Sequence, residues 1–121
     1  MSLKAWLTKN VYVTSPRDPD PFFRPRQYSC NRDEIIQLVQ QSIGLLKGWK
    51  IEEHRENQGR VQASRRGFVG LGEVVNVYVV QGVDGVTSLE ITSQSKVGKG
   101  DWGQNKRNVK ALLTLLDAKI K

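Results

Sequence analysis

A β-hairpin centred on Asp84-Gly85 constrains the fold of this 121-residue chain more than any other feature. Asp-Gly between two runs of β-branched residues is the strongest short-range hairpin signal, and here the runs cover residues 73–83 and 86–93. Two further strand-like segments, 49–55 and 60–66, precede the hairpin. The sequence therefore predicts a four-stranded antiparallel meander.

The hairpin also predicts a register, if Asp84 and Gly85 are the two central residues of the turn. The predicted cross-strand pairs are Val83–Val86, Val80–Leu89 and Tyr78–Ile91. These pairs make one face apolar, and we expect that face to meet helices. The opposite face would carry Val75, Val77 and Val79 against polar partners, and would be half apolar and partly exposed.

Helical spacing of apolar residues predicts two helices, one before and one after the meander. The first covers residues 32–47, with capping-box spacing between Asn31 and Glu34. The second runs from about Gly103 to Ile120. Their predicted apolar stripes are Ile35, Leu38, Val39, Ser42, Ile43 and Leu46 in the first helix, and Val109, Leu112, Leu113, Leu116 and Ile120 in the second.

This element order predicts an α+β fold, in which an antiparallel sheet of about four to six strands has two helices packed on one face as a two-layer sandwich. We expect a single domain over residues 1–121, since its length is typical of one domain. Residues 1–30 form an extended, Pro-rich segment, and residues 31–121 hold the helix, the meander and the last helix. Short strands over 5–14 and 26–30 would extend the sheet.

Several classes of function are disfavoured by composition. Cys30 is the only cysteine and His54 the only histidine, so an internal disulfide is excluded and ordinary zinc chemistry nearly so. We predict no metal and no cofactor. No apolar run approaches the roughly 20 residues of a membrane span, and no secretory signal is visible. The expected location is the cytoplasm, with peripheral membrane association left open.

The chain carries a formal net charge of +7, concentrated near its ends. Residues 96–121 hold seven Lys or Arg against two acids, whereas residues 31–95 hold seven against eight. Such a charge favours an anionic small molecule, an acidic protein surface or an anionic membrane surface as partner. Nucleic acid is a weaker candidate, because aromatic residues make up only 7% and no RNA-recognition signature occurs.

The segment 93–107 concentrates the candidate chemistry. A polar strand end runs into a Gly-rich turn and then into a helix with basic first turns, and helix N-termini attract anions. Arg65 and Arg66 precede another Gly-rich loop and can join the same patch. The candidate ligand-binding residues are Arg65, Arg66, Ser95, Lys96, Gly98, Lys99, Gly100, Asp101, Gly103, Asn105, Lys106 and Arg107.

Plainer interpretations exist for the same residues. The basic cluster can be a solvated helix face, and Asp101 can be the helix N-cap with Gln104 three positions later. Gly98, Gly100 and Gly103 match G-x-G-x-x-G, but a dinucleotide site is rejected because no parallel βαβ unit surrounds them.

The same segment resembles the family catalogued as domain of unknown function 1499. The matching positions are Ser93, Ser95, Lys96 in place of Arg, Val97, Gly98, Asp101, Gly103, Asn105, Lys106 and Arg107. Asp18-Pro19, Tyr28-Ser29 and Phe68-Val69 add to the likeness, which covers roughly residues 10 to 120.

Two positions depart from that family's pattern. An Asn-Cys pair is usual where this chain has Asn10-Val11, and paired acids are usual where it has Gly72-Glu73. The resemblance implies a fold and a surface, and it implies no established reaction.

The sequence is compatible with three functions. The leading hypothesis is a non-enzymatic binding module for an anionic ligand or acidic partner. The second is an enzyme acting on a small anionic substrate, using Asp101 or Glu73 with Asn105. The third is a structural or oligomerisation protein that pairs through the half-apolar face of Val75, Val77 and Val79.

Overall fold

Six antiparallel strands and two α-helices make up the part of the fold that the structure describes. The computed structural model describes residues 11–55, 59–66, 72–95 and 103–120. The strands are β1 (Val11–Val13), β2 (Arg26–Tyr28), β3 (Trp49–Arg55), β4 (Arg60–Arg65), β5 (Glu73–Gln81) and β6 (Thr87–Ser95). The helices are α1 (Arg32–Leu45) and α2 (Gln104–Lys119). The predicted α+β class and its antiparallel sheet are confirmed.

The strand order is β1-β6-β5-β4-β3, so β3 to β6 form the predicted meander. Both short N-terminal strands pair with the outer edge of β6. β1 pairs with its end, where Val13 lies opposite Thr92, and β2 with its beginning, where Arg26 lies opposite Leu89. The Pro-rich segment connects them through a single 3₁₀ turn, Pro21–Phe23.

The hairpin between β5 and β6 is where we predicted it, but the predicted register is wrong by one residue. The observed pairs include Val77–Ile91, Val79–Leu89 and Val80–Ser88. The cause is the turn, in which Val83–Gly85 form a 3₁₀ turn with Asp84 at φ 61° and Gly85 at φ 72°. Because side chains alternate along a strand, a one-residue shift exchanges the inner and outer faces of β5 relative to those of β6.

The exchange buries the face that we expected to be half exposed. Val75, Val77 and Val79 are 0%, 0% and 1% exposed, whereas Val80 is 59% exposed. Pairing with another copy through these three valines is therefore excluded.

The predicted starts of both helices are confirmed, and the predicted N-cap residue of α2 is corrected. Asn31 Oδ1 accepts the backbone N–H of Glu34 at 2.9 Å, which satisfies one of the unpaired amides of the first turn. In α2 the N-cap position is Gly103, with φ 80°. The predicted cap residue Asp101 lies two positions earlier, outside the described residues.

Both helices pack on the same face of the sheet, as predicted. α1 contacts β3, β4 and β5, and α2 contacts β6 and β1. Burial of each Val, Leu or Ile side chain in the core between the layers contributes about 1.5–3 kcal/mol. The largest fully buried side chains are Ile35, Ile43, Leu89, Ile91, Leu112, Leu113, Leu116, Val39, Val61, Val75, Val77 and Val79. No helix within the described ranges combines the length and apolar character that a membrane crossing requires.

Candidate functional site

A buried polar network joins the ends of the central strands to the start of α2. The register aligns Arg65 at the end of β4, Glu73 at the start of β5 and Ser95 at the end of β6. Glu73 is only 7% exposed. Its Oε1 accepts hydrogen bonds from Arg65 Nη1 at 3.0 Å and from Asn108 Nδ2 at 2.8 Å. The buried carboxylate is thus paired with a cation and hydrogen-bonded to an amide, as burial of a charge requires.

The network continues along β6 through hydroxyl and amide groups. Ser93 Oγ donates to Asn105 Oδ1 at 2.6 Å and accepts from Asn108 Nδ2 at 3.1 Å. Asn105 Nδ2 donates to Ser95 Oγ at 3.0 Å. Ser93, Asn105 and Asn108 are buried, and their mutual bonds explain how polar side chains are tolerated there.

A second branch carries the network to the surface of α2. Gln104 Nε2 donates to Asn108 Oδ1 at 2.7 Å, and Arg107 Nη2 donates to Gln104 Oε1 at 3.1 Å. A continuous hydrogen-bonded chain therefore links Arg65 to Arg107. Arg66 follows Arg65 directly and is exposed, and its backbone N–H donates to Gly48 O at 2.9 Å. We call Arg65, Arg66 and Arg107 the arginine group.

Lys106 lies on the other side of α2, toward β1. Its Nζ stands over the ring of Phe23 at 4.8 Å from the centroid and over the ring of Tyr12 at 5.9 Å. The two rings meet edge to face, with centroids 5.4 Å apart. Lys106 thus lies on a different face of α2 from Arg107, since consecutive helix residues project about 100° apart.

Charged and phenolic groups surround Lys106. The Tyr12 hydroxyl donates to Asp18 Oδ2, and this bond is the main reason why the pKa of Asp18 lies below its ordinary value. The Asp20 backbone N–H and the positive charge of Lys106 lower that pKa further. Burial, followed by the bond to Asp18, raises the pKa of Tyr12. The charge of Lys106 is therefore locally opposed by a carboxylate that stays ionised.

Seven of the twelve predicted site residues fall within the described ranges. Four of them, Arg65, Ser95, Asn105 and Arg107, belong to the network. Arg66 and Gly103 adjoin it in sequence, and Lys106 points away from it. The other predicted residues, Lys96, Gly98, Lys99, Gly100 and Asp101, lie outside the described residues.

Sequence reasoning missed Asn108. It named Ser93 only as a match to the family pattern, Gln104 only as a capping partner and Glu73 only as a possible catalytic acid. The signal for Asn108 was available. Asn105 and Asn108 precede Val109 and Leu112 at helical spacing, so both lie on the buried stripe of α2. Two amides on an apolar stripe require buried partners, and the polar ends of β5 and β6 supply them.

A metal centre finds no support in the described part of the chain, where no three His, Cys, Asp or Glu residues come together to hold an ion. The donors of the network are amides, hydroxyls and two guanidinium groups, and Glu73 is the one carboxylate among its described residues. This set suits the binding of an anion better than the binding of a cation.

Fold and sequence together define a small α+β domain with an antiparallel sheet covered by two helices. A family profile described as "Protein of unknown function (DUF1499)" matches residues 2–116. The chain belongs to the DUF1499 family. Among curated proteins, none matches the sequence significantly.

A protein from Nitrosospira multiformis, solved by the Northeast structural genomics consortium, has a similar structure. The TM-score is 0.58, and the match covers 81% of this chain and 94% of that chain at 12% sequence identity. At this identity the likeness shows a shared fold and carries no argument about function.

Proposed function

We propose that the protein is a non-enzymatic binding domain that takes an anionic ligand, or an acidic partner surface, beside the start of α2. The single observation that supports this most strongly is the hydrogen-bonded chain from Arg65 through Glu73, Asn108 and Gln104 to Arg107. It ties three structural elements to one end of the sheet and has cationic side chains at both of its ends.

The charges of this end of the sheet favour an anion. The arginine group supplies three positive charges, and Glu73 supplies the one negative charge among the described residues of the network. The start of α2 adds a partial positive charge from its aligned peptide dipoles, equivalent to roughly half an elementary charge. The balance attracts anions over a distance of about 8–10 Å at ordinary ionic strength.

The guanidinium group also suits the shape of oxyanions. It is planar and offers paired N–H donors that match carboxylate, phosphate and sulfate oxygens. Arg65 already uses one Nη atom on Glu73, and that bond fixes its direction. Because the supporting amides are buried and bonded to one another, a ligand would meet a preorganised surface and pay little ordering entropy.

Heparin binding tests the proposal with a matched pair of variants. Arg107→Glu and Lys119→Glu make the same charge change at exposed positions of α2, twelve residues or roughly 18 Å apart. We expect Arg107→Glu and Arg66→Glu each to elute from heparin at clearly lower salt than wild type. Lys119→Glu should elute close to wild type. Equal effects of Arg107→Glu and Lys119→Glu would refute a localised site, because they would report net charge alone.

Other probes separate the ligand classes. Vesicles that contain anionic lipid, and duplex DNA, can be compared with heparin at the same ionic strength. A steep fall of affinity with salt on DNA would favour nucleic acid, because such binding releases condensed counterions. Binding restricted to vesicles would favour an anionic membrane surface.

An enzyme acting on a small anionic substrate is the second candidate function. The Glu73 carboxylate is buried beside Arg65 and Asn108, and this favours an enzyme, since buried carboxylates serve as acids and bases in active sites. Glu73→Gln keeps a hydrogen-bonding side chain of the same size. Turnover of phosphate or sulfate esters by the wild type that this variant abolishes would favour the enzyme over the binding module.

A further inference from the structure

The segment from Val11 to Tyr28, which we call the N-terminal strap, holds α2 at both ends. At the start of α2, Lys106 Nζ stands over Phe23 and Tyr12. At the other end, Arg26 Nε and Nη2 donate to the two oxygens of Asp117 at 3.1 and 2.9 Å. The strap is in turn fixed to the sheet, where the Thr14 N–H donates to Ile91 O at 3.0 Å. The strap therefore spans most of the length of the helix.

Lys106 is placed where a cation opposes the helix dipole, in the first turn of α2. The ring faces of Phe23 and Tyr12 offer negative electrostatic potential to it, and the Asp18 carboxylate offers a full negative charge. These partners account for Lys106 without any bound anion. Its sequence neighbours Asn105 and Arg107, by contrast, project from other faces of the helix and belong to the network.

We propose that the strap positions the anion site: by holding Lys106, the aromatic pair Phe23 and Tyr12 fixes the first turn of α2 and hence the direction of Arg107. The inference rests on the proposed function for its ligand. It makes Lys106 a positioning residue and removes it from the groups that touch the anion. Anion binding and the packing of the strap should also favour each other, since both stabilise the first turn of α2.

Phe23→Leu gives the sharpest test, because it removes a ring without changing any charge and because Phe23 is only 4% exposed. Phe23→Leu and Lys106→Met should each weaken heparin binding by about fivefold, the factor that matches the loss of one cation–π contact. The double variant should be little weaker than Lys106→Met alone, because Lys106→Met already removes the contact between Lys106 and Phe23. Wild-type affinity in Phe23→Leu, or fully additive losses in the double variant, would overturn the inference.

A core variant away from the strap controls for general loss of stability. Val39→Ala shortens a fully buried side chain of α1 and should leave heparin affinity unchanged well below its unfolding temperature. If Val39→Ala weakens binding as much as Phe23→Leu, the strap has no specific role.

Hydrogen exchange keeps the inference separate from the proposed function. Lys106→Met should speed the exchange of backbone amides 105–109 relative to wild type, whether or not heparin binds. Unchanged exchange would overturn the positioning role. Heparin should also slow exchange at Thr14 and Phe23, whose backbone N–H groups donate to the carbonyl oxygens of Ile91 and Asp20. If Lys106→Met speeds exchange as expected but the wild type binds no anion, the proposed function alone is rejected and the positioning role stands.

Discussion

Asn108 Nδ2 lies 2.8 Å from Glu73 Oε1, so the second turn of α2 is hydrogen-bonded directly to the first residue of β5. Asn108 also donates to Ser93 and accepts from Gln104, so its side chain takes part in three hydrogen bonds of the network. Its bonds to Glu73 and Ser93 join the helical layer to the sheet at the end where the arginine group lies.

Asn108→Ala should destabilise the fold by about 2–3 kcal/mol, because it removes one of the donors to a buried carboxylate and leaves Ser93 and Gln104 with fewer partners. Urea unfolding followed by circular dichroism measures this difference. Asn76→Ala is the matched control, since Asn76 is half-buried on the outer face and accepts one bond, from Gln62 Nε2 at 3.1 Å. The control should lose about 1 kcal/mol or less. Equal losses would mean that the network adds nothing beyond ordinary hydrogen bonds.

Val77→Ala should cost about 2 kcal/mol, because it removes two methyl groups from a side chain that is fully buried in the core. Val80→Ala should change the free energy of unfolding by less than about 0.5 kcal/mol, since Val80 is 59% exposed. Thermal unfolding of both variants checks the hairpin register. A larger loss of stability in Val80→Ala than in Val77→Ala would contradict the observed register and would favour the one predicted for a two-residue turn.

Substitution by alanine should lower the stability of the fold at Gly59 and raise it at Gly44. Gly59 has φ 67°, and a Cβ there would stand 2.1 Å from Val79 O, so Gly59→Ala should cost about 3 kcal/mol or more. Gly44 lies inside α1 with no atom within 4 Å of a Cβ, so Gly44→Ala should stabilise by about 0.5 kcal/mol. Chemical denaturation distinguishes the two. A tolerated Gly59→Ala would show that the turn into β4 can move away from β5.

The Tyr12–Asp18 hydrogen bond should make stability depend on pH below neutrality. The pKa of Asp18 is lower in the folded protein than its ordinary value, so its contribution is fully present above the unfolded pKa, about 3.9. That contribution is lost as the pH falls through the folded value. Tyr12→Phe removes the largest cause of the shift, and should bring the pKa of Asp18 back toward its ordinary value.

Unfolding curves of wild type and Tyr12→Phe at several pH values test this sign. The difference in stability should be present at pH 7 and shrink at pH below the folded pKa of Asp18. A carboxyl NMR titration gives the pKa of Asp18 in both proteins. An identical pKa in the two would show that the hydrogen bond does not govern it.

The elements of the fold were predictable because each has a local cause. Asn31 caps α1 through Glu34, and the spacing from Val109 to Leu116 defines the buried side of α2. The register was not predictable in the same way. Asp84 adopts a positive φ that lengthens the turn by one residue, and only pairing across the whole hairpin selects that conformation.

The site was predictable in part for the same physical reason. Arg65 and Ser95 could be placed at one end of the sheet because both close strands of the meander. The side of α2 to which Lys106 points depends on Phe23, which is 83 positions away in sequence and reaches the helix only through the packing of the strap. Contacts of this kind follow from the tertiary fold, and no local pattern contains them.

Mapping heparin on the protein by NMR tests the central claim most directly. A heparin-derived oligosaccharide is added to ¹⁵N-labelled protein, and shifts of the backbone amides and Arg side-chain signals are followed. The account predicts the largest shifts at Arg65, Arg66 and from Gln104 to Asn108, with little change at Lys119. Shifts centred elsewhere, or spread evenly over all exposed Lys and Arg residues, would contradict it.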